Sequence, residues 1–349
     1  MQGVVFLGNK KLEMQSFEDP KPGPDDVILE IQASGMCGSD LKFYRANGGP
    51  SSLGLGGDDK PVIAGHEPCG IIVEVGSNIS KNLAYKGMRV MQHHYQGCGI
   101  CPHCATGWQQ LCNDGVKAVY GVTGHGAHAK YMKCPISTIV PLREDISFIA
   151  GAAISCGTGT AWGALERLDL RASQTIAIFG MGPVGLSAVM LAHQMGAMVI
   201  ALDTNAKRLE RSLDFGADHI INPEKSDDLI TEIKELTKGL GVHASIDASS
   251  SSIARSNAIK CLRTWGKACF VGEGGDVTID VSNDLLRRQV TLIGSWTFSK
   301  HGQAECANFI ADKGLDVDKL FTHRWSLNQA KEAYELFDLQ SDGKGVFIP

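Results

Sequence analysis

Apolar residues follow two rhythms along the chain. Up to about residue 150 they come in short runs, at 27–31, 70–75 and 88–91, separated by glycine, proline and polar residues. Runs of that length, bounded by turn formers, predict short strands. From about residue 153, apolar runs alternate with longer stretches of helical spacing. In order they predict a strand at 175–179, a helix at 184–195, a strand at 198–202, a helix at 207–215 and a strand at 219–221. A helix at 227–237, a strand at 244–247, a helix at 253–262 and a strand at 267–271 complete the series. Repeated strand-helix-strand order predicts a parallel sheet covered on both faces. Near the end, a strand at 290–293 precedes helical patterns near 303–312 and 328–340. The glycine-rich segment 48–57, with Asp58 and Asp59 after it, reads either as a mobile loop bordering a site or as a solvated connector. No internal repeat or low-complexity tract interrupts the pattern.

Composition narrows this picture. A chain of 349 residues with 43% hydrophobic and 20% charged side chains has material for two globular domains. Two stretches without charged residues, 146–165 and 172–202, have the length of a membrane span. The first is dominated by small residues, and the second contains Gly180, Gly182, Pro183 and Gly185. A buried strand-turn-helix also lacks charges, so no membrane span is expected. The first residues place an apolar patch before their lysines, the reverse of an export signal, and a cytoplasmic location is expected. There, paired thiols stay reduced and available to metal. With 38 acidic against 33 basic side chains, nothing electrostatic recruits nucleic acid.

The strand at 175–179 runs into Gly180-Met181-Gly182-Pro183-Val184-Gly185, and a helical stretch follows. In that setting GxGxxG predicts a dinucleotide site: Gly180 for the tight turn, Gly182 for the approach of pyrophosphate, Gly185 for close helix-strand contact. The free N–H groups of the helix start meet the phosphates. Asp203 ends the second strand, 23 residues after Gly180. A carboxylate there accepts from both ribose hydroxyls and repels a 2′-phosphate, which predicts NAD over NADP. Arg208 is a nearby cation that could hold either ribose. A glycine turn in an α/β protein without cofactor is the competing reading.

Eleven cysteines are too few for a disulfide scaffold, and their spacing decides their meaning. Cys98, Cys101, Cys104 and Cys112 can close a tetrahedron around one zinc ion and leave no open position, as a structural site does. An iron–sulfur cluster is the competing occupant. Cys37, His66 and Cys156 are scattered, and singly each reads as a buried thiol or core histidine. Together they supply two thiolates and one imidazole, a set that leaves zinc a fourth position for substrate. Cys69, Cys261 and Cys269 lie in apolar surroundings and read as packed core, while Cys134 and Cys306 show no ligand spacing. His93 and His94 read as a surface pair, though one could face a cleft. His125 and His128 receive no ligand role.

These elements in order, namely Gly38-Ser39-Asp40 after Cys37, Gly65-His66-Glu67, the four-cysteine lobe, Cys156, the glycine turn with Asp203, and Ile293-Gly294-Ser295, resemble the zinc-dependent medium-chain alcohol dehydrogenases along nearly the whole chain. The resemblance implies a Rossmann doubly wound parallel sheet domain at 153–290. It implies a mostly β, GroES-like catalytic domain at 1–152 and 291–349, carrying the metal lobe at about 96–113, with the cofactor in the cleft between. It implies two Zn2+ per chain and NAD, and interconversion of a small-molecule alcohol with its aldehyde or ketone. Cys37, His66 and Cys156 would hold the catalytic zinc, with Glu67 as a transient ligand. Ser39 would carry the substrate proton, while Ile293 and Ser295 would lie by the nicotinamide. Many relatives have histidine where this chain has Lys42, so the outer end of the proton relay is open. Polyol dehydrogenases often place glutamate at the position of Cys156; its thiolate leans towards the alcohol branch, with polyol or amino-alcohol oxidation as the alternative. The substrate pocket is expected to draw on Ser39, Phe43, Tyr44, the 48–59 loop, His94 and Trp296, with Phe43 and Trp296 equally readable as plain core. A homodimer or homotetramer is expected.

Overall fold

The structure is a computed structural model that describes residues 1–47, 60–340 and 343–349, so the loop expected at 48–59 lies outside the described residues. The chain forms two compact units, Met1–Cys156 with Ser299–Pro349, and Gly157–Phe298.

The first unit opens with β1 (Gln2–Gly8), β2 (Lys11–Ser16), β3 (Asp26–Gly35), α1 (Asp40–Arg45), β4 (Glu67–Val75) and β5 (Arg89–Gln92). It continues through β6 (Tyr95–Gln96), α2 (Pro102–Ala105), β7 (Ala118–Val119), β8 (Tyr131–Pro135), β9 (Ile139–Pro141) and α3 (Phe148–Ile154). The second unit runs from α4 (Gly157–Leu168) through β10 (Thr175–Phe179), α5 (Pro183–Gln194), β11 (Met198–Leu202), α6 (Ala206–Asp214) and β12 (His219–Ile221). It ends with α7 (Leu229–Glu235), β13 (Val242–Asp247), α8 (Ser252–Lys260), β14 (Leu262–Phe270) and β15 (Thr291–Gly294). The chain then returns to the first unit as α9 (Lys300–Lys313), β16 (Phe321–Trp325), α10 (Ala330–Asp338) and β17 (Lys344–Phe347).

The main sheet of the first unit has the order β16-β17-β3-β4-β5-β9, and β8 also pairs with β3. Val27, Leu29 and Ile31 of β3 pack with Ile72 and Val90 in one core. Phe6, Met36, Tyr334 and Phe347 form another, which draws α10 and β17 against the N-terminal strands. The antiparallel register sets Gly35 opposite Glu67 and Ser34 opposite Phe347. That register fixes where the loop after β3 and the loop before β4 meet.

The second unit is a parallel sheet in the order β12-β11-β10-β13-β14-β15, the doubly wound arrangement. Every residue of β10 is buried, which explains its unbroken apolar run. One element departs from expectation. The strand placed at 290–293, taken to begin the return of the catalytic domain, is the sixth strand of this sheet, with Lys267 opposite Thr291 and Phe270 opposite Gly294. The apolar core that covers β14 also takes in Leu292. The uncharged stretch at 146–165 is divided between α3 and α4, and that at 172–202 among β10, α5 and β11. Among the described residues, no single helix is long and apolar enough to cross a membrane.

Candidate active site and metal centres

Cys37 lies two residues beyond the end of β3, and His66 directly precedes β4, so antiparallel pairing delivers both to one end of the sheet. Cys156 follows α3, whose last turn is tied to β4 by the Ser155 hydroxyl donating to the Pro68 carbonyl at 2.9 Å. The ligand atoms of Cys37, His66, Glu67 and Cys156 all lie within 4.8 Å of one another. The Cys37 and Cys156 sulfurs are 3.8 Å apart. Thiolates about 2.3 Å from a tetrahedral zinc stand about 3.8 Å apart, so the donor set fits that ion. The Cys37 thiol is held well below the usual range by its bond with Cys156, against burial; that bond and burial push Cys156 up. A divalent cation is what allows both sulfurs to be thiolates at once. Ser39 Oγ stands 3.3 Å from Cys37 Sγ and 3.1 Å from His66 Nε2, beside the atoms that would face a substrate oxygen. Lys42 is exposed, one turn further along α1.

Behind these ligands runs a buried polar chain. Asp40 Oδ1 lies 2.8 Å from His66 Nδ1, and Oδ2 accepts from the Cys37 N–H at 2.9 Å and from the Tyr334 hydroxyl at 3.1 Å. Because Tyr334 donates to Asp40, its oxygen accepts from His128 Nε2 at 2.7 Å. His128 Nδ1 is then left to accept from the Ser34 hydroxyl at 2.7 Å. Burial pushes His128 down to about 4, so the ring is neutral, as this assignment requires. Burial, then Asp40, push the Tyr334 hydroxyl well above its ordinary range, so it keeps its proton. The donors converge on Asp40, from Ser34 through His128 and Tyr334 on one side and from His66 Nδ1–H on the other, which leaves His66 Nε2 with the lone pair that a metal would take. Gly65 makes room for this chain: it has φ +93°, and a Cβ there would come within 2.4 Å of the His128 ring.

Glu67 is gripped by the buried Lys344, whose Nζ lies 2.6 Å from Oε2 and donates to the Met36 carbonyl at 2.7 Å. Burial pushes Glu67 up to about 8, and Lys344 pulls the other way. Asp40, His128, Tyr334 and Lys344 had no assigned role in the sequence reading. Asp40 stood inside a recognised motif, and its spacing of three from Cys37 was the available signal; the other three offered none.

Several expectations require correction. His93 and His94 are not a surface pair, since both are buried. His94 Nδ1 lies 3.1 Å from the Ser155 carbonyl, and its ring centroid is 5.3 Å from that of His66. His128 is no bystander of a glycine-rich turn. Phe43 and Tyr44 are buried in the core of the first unit, in line with the plain-core reading of Phe43, and Tyr44 packs on Phe6 and Tyr334. Trp296 is half exposed. Cys69, Cys134, Cys261, Cys269 and Cys306 are all buried.

In the lobe, the sulfurs of Cys98, Cys101, Cys104 and Cys112 also lie within 4.8 Å of one another, with two of the pairs at 4.0 Å. Backbone N–H groups of Cys98 and Cys101 donate to the sulfurs of Cys112 and Cys98 at 3.2 and 3.3 Å. The set is too tight for a cluster of several irons, which spreads its four thiolates over two or more metal ions. A single tetrahedral ion fits it.

In the second unit, Gly180 has φ +95°, and a Cβ on Gly185 would come within 1.8 Å of the Gly180 carbonyl oxygen. Among the described residues, nothing beyond its chain neighbours lies within 4 Å of a Cβ built on Gly182, and no side chain caps the start of α5 at Pro183 and Val184. An open turn under bare N–H groups fits a pyrophosphate. Asp203 Oδ2 accepts from the Met181 N–H at 2.6 Å and Oδ1 from the Asn205 N–H at 2.8 Å, which locks the carboxylate beside the turn. Arg208 lies in the first turn of α6, whose cap is the Asn205 side chain. The Ser295 N–H donates to the Phe270 carbonyl, placing Ile293 and Ser295 at the same carboxyl edge of the sheet.

Comparison with known proteins agrees with this geometry. Residues 23–144 match the alcohol dehydrogenase GroES-like domain, and residues 183–312 the zinc-binding dehydrogenase family. The chain belongs to the zinc-dependent medium-chain alcohol dehydrogenases. It is 34% identical over 99% of its length, and 98% of the other chain, to the uncharacterized zinc-type alcohol dehydrogenase-like protein YphC of Escherichia coli (strain K12). It is 31% identical to the sorbitol dehydrogenase of Bacillus subtilis (strain 168), over 96% of this chain and 93% of that one. The solved alcohol dehydrogenase TADH from Thermus sp. ATN1 superposes with a TM-score of 0.89 at 26% identity, covering 100% of this chain and 99% of that one. The protein is a zinc-type oxidoreductase of alcohols, acting on small-molecule substrates.

Proposed function

We propose that the chain oxidises an alcohol reversibly to an aldehyde or ketone with NAD as hydride acceptor, and that it holds two zinc ions. The observation that carries the reading is the meeting of Cys37, His66 and Cys156 with Glu67 within 4.8 Å. Zinc held there by Cys37, His66 and Cys156 would supply Lewis acidity that lowers the pKa of a substrate hydroxyl in the fourth position. Ser39 takes the proton, because its hydroxyl lies against both ligand atoms. Lys42, exposed beyond it on α1, hands the proton to solvent. Glu67 waits beside the ligands, restrained by Lys344. Cys98, Cys101, Cys104 and Cys112 would hold the second zinc, which would fix the shape of the lobe.

In the second unit, Gly180, Gly182, Pro183, Val184 and Gly185 would hold the pyrophosphate, Asp203 the ribose, and Ile293 and Ser295 the nicotinamide end. The fixed Asp203 carboxylate supports NAD, and Arg208 softens the preference. A second reading, polyol oxidation, is favoured by the similarity to sorbitol dehydrogenase; Cys156 speaks for the simpler alcohols. Oligomerisation as a homodimer or homotetramer is supported by the open edge strand β15, with exposed Val281, Leu286 and Trp296 on either side of it in sequence. The four lobe thiols, which must stay reduced, suit the cytoplasm.

The test is turnover by zinc-loaded protein on a panel of primary, secondary and polyol alcohols with each cofactor. NAD is expected to exceed NADP by at least about tenfold in kcat/KM, an advantage that shrinks in Asp203→Ser. Absence of cofactor reduction across the panel would overturn the proposal.

A further inference from the structure

A second site lies in the dinucleotide unit, at the opposite edge of its sheet from the glycine turn. A cavity of about 350 Å³ opens where α4 ends and β13 and β14 begin; Arg171, His243, Arg263, Trp265, Lys267 and Asp169 are among its lining residues. Strands rise about 3.3 Å per residue, so the five residues of β10 separate this edge from Gly180 by roughly 16 Å. Three cations and one carboxylate gather here, on a chain whose net charge is -5. Lys267 donates to the Leu168 carbonyl and Arg171 pairs with Asp169 on the exposed rim.

Arg263 is the informative residue. Its Nη1 lies 2.8 Å from His243 Nε2, while His243 Nδ1 lies 3.1 Å from the Thr175 N–H. Both neighbours are pure donors, and a neutral imidazole accepts at one nitrogen only. Whichever tautomer forms, one N–H of this corner faces another, and protonation would leave both facing donors. Burial and then Arg263 lower the His243 pKa, so the ring stays neutral and the mismatch remains. An acceptor atom is what the corner lacks. Beside it, Trp265 is 73% exposed, and it and Asp169 both adopt left-handed backbone, at φ +65° and +52°. Such conformations cost free energy in residues with a Cβ and cluster at binding sites.

We propose that this cavity binds a small oxyanion carried on a flat ring, an aryl phosphate or aryl carboxylate, with Arg263 and the His243 N–H holding its oxygens and Trp265 covering the ring. The anion supplies the missing acceptor, since a guanidinium takes two oxygens side by side. Lys267 and Arg171 add charge at the wall and rim. Cavities of a few hundred cubic ångströms suit ligands of this size.

Calorimetry on the full chain at saturating NAD, which fills the dinucleotide site, tests this with phenyl phosphate, benzoate and inorganic phosphate as probes. Phenyl phosphate or benzoate should bind, the tighter one showing whether phosphate or carboxylate is preferred, and inorganic phosphate should bind more weakly for want of a ring. Arg263→Gln should weaken the preferred probe at least about tenfold. Trp265→Ser, a surface change that spares the fold, should weaken it several-fold while leaving inorganic phosphate unchanged. No binding at millimolar probe, binding seen only when NAD is left out, or affinities untouched by both variants would overturn the proposal.

Discussion

The four lobe cysteines and the trio of Cys37, His66 and Cys156 offer nearly the same sulfur spacing, 4.0 against 3.8 Å, but are built by different means. The lobe draws all its ligands from residues 98–112 and orders them with the loop's own N–H to sulfur bonds. The trio comes from the ends of β3 and α3 and the start of β4, and its pose depends on sheet register and on the buried chain from Ser34 to His66. A local site contains its own geometry and can fail alone. An assembled site takes its precision from residues that never touch the reaction, so damage to it spreads from a distance.

The sharpest way to break this contrast is to remove one ligand from each cluster. Cys37→Ala should lower turnover on the order of a thousandfold or more, with an unchanged circular dichroism spectrum. Retained turnover would mean that the reaction does not run at this cluster. Next in size is Tyr334→Phe, which keeps the ring but cuts the chain between His128 and Asp40. Loss of such a supporting partner costs about 10- to 100-fold in metal affinity or activity. The cobalt-substituted protein should show the change as a shifted absorption band, which a packing defect alone would not produce. Cys112→Ser should then keep turnover per active-site zinc within about threefold while lowering Tm by several degrees, because a structural ion adds to folding free energy. A collapse of turnover as deep as that of Cys37→Ala would erase the contrast.

The smallest effect is on pH dependence. Burial lowers His128 to about 4 from the usual 6.5. Between those values the unfolded chain binds the extra proton, so stability rises with pH there and is lost as pH falls from 6.5 towards 4. The slope is roughly 1.4 kcal/mol per pH unit for this one group, and it is absent above pH 6.5. Urea unfolding of the parent and of His128→Gln at pH 7.5 and pH 5 checks this: the variant should lose about 2 kcal/mol less over that interval. Equal losses would show that His128 is not held neutral by burial.

What could be read from the sequence follows the same division. The run at Thr175–Phe179, its glycine turn and the lobe spacing are local, so each carries its meaning within a few residues. The trio was found by assembling known motifs, and its supports were missed because distant pairing creates them. Lys344 reaches Glu67 only because β17 pairs with β3, and Tyr334 reaches Asp40 across 294 positions. His93 and His94 were misplaced because burial is continuous here: Val90 to Gln92 are buried on both faces of β5, and residues 93–95 stay buried after the strand ends, so polar type is no guide to exposure. The strand at residues 291–294 was given to the wrong unit because sequence order does not reveal which sheet an edge strand joins.

The central claim is two independent metal sites, one local and one assembled. Elemental analysis of the purified chain beside Cys37→Ser and Cys112→Ser tests it most directly. The account predicts about two zinc ions per chain in the parent and about one in each variant, with no iron or labile sulfide. Two zinc ions retained in Cys37→Ser, or both lost in Cys112→Ser, would contradict it.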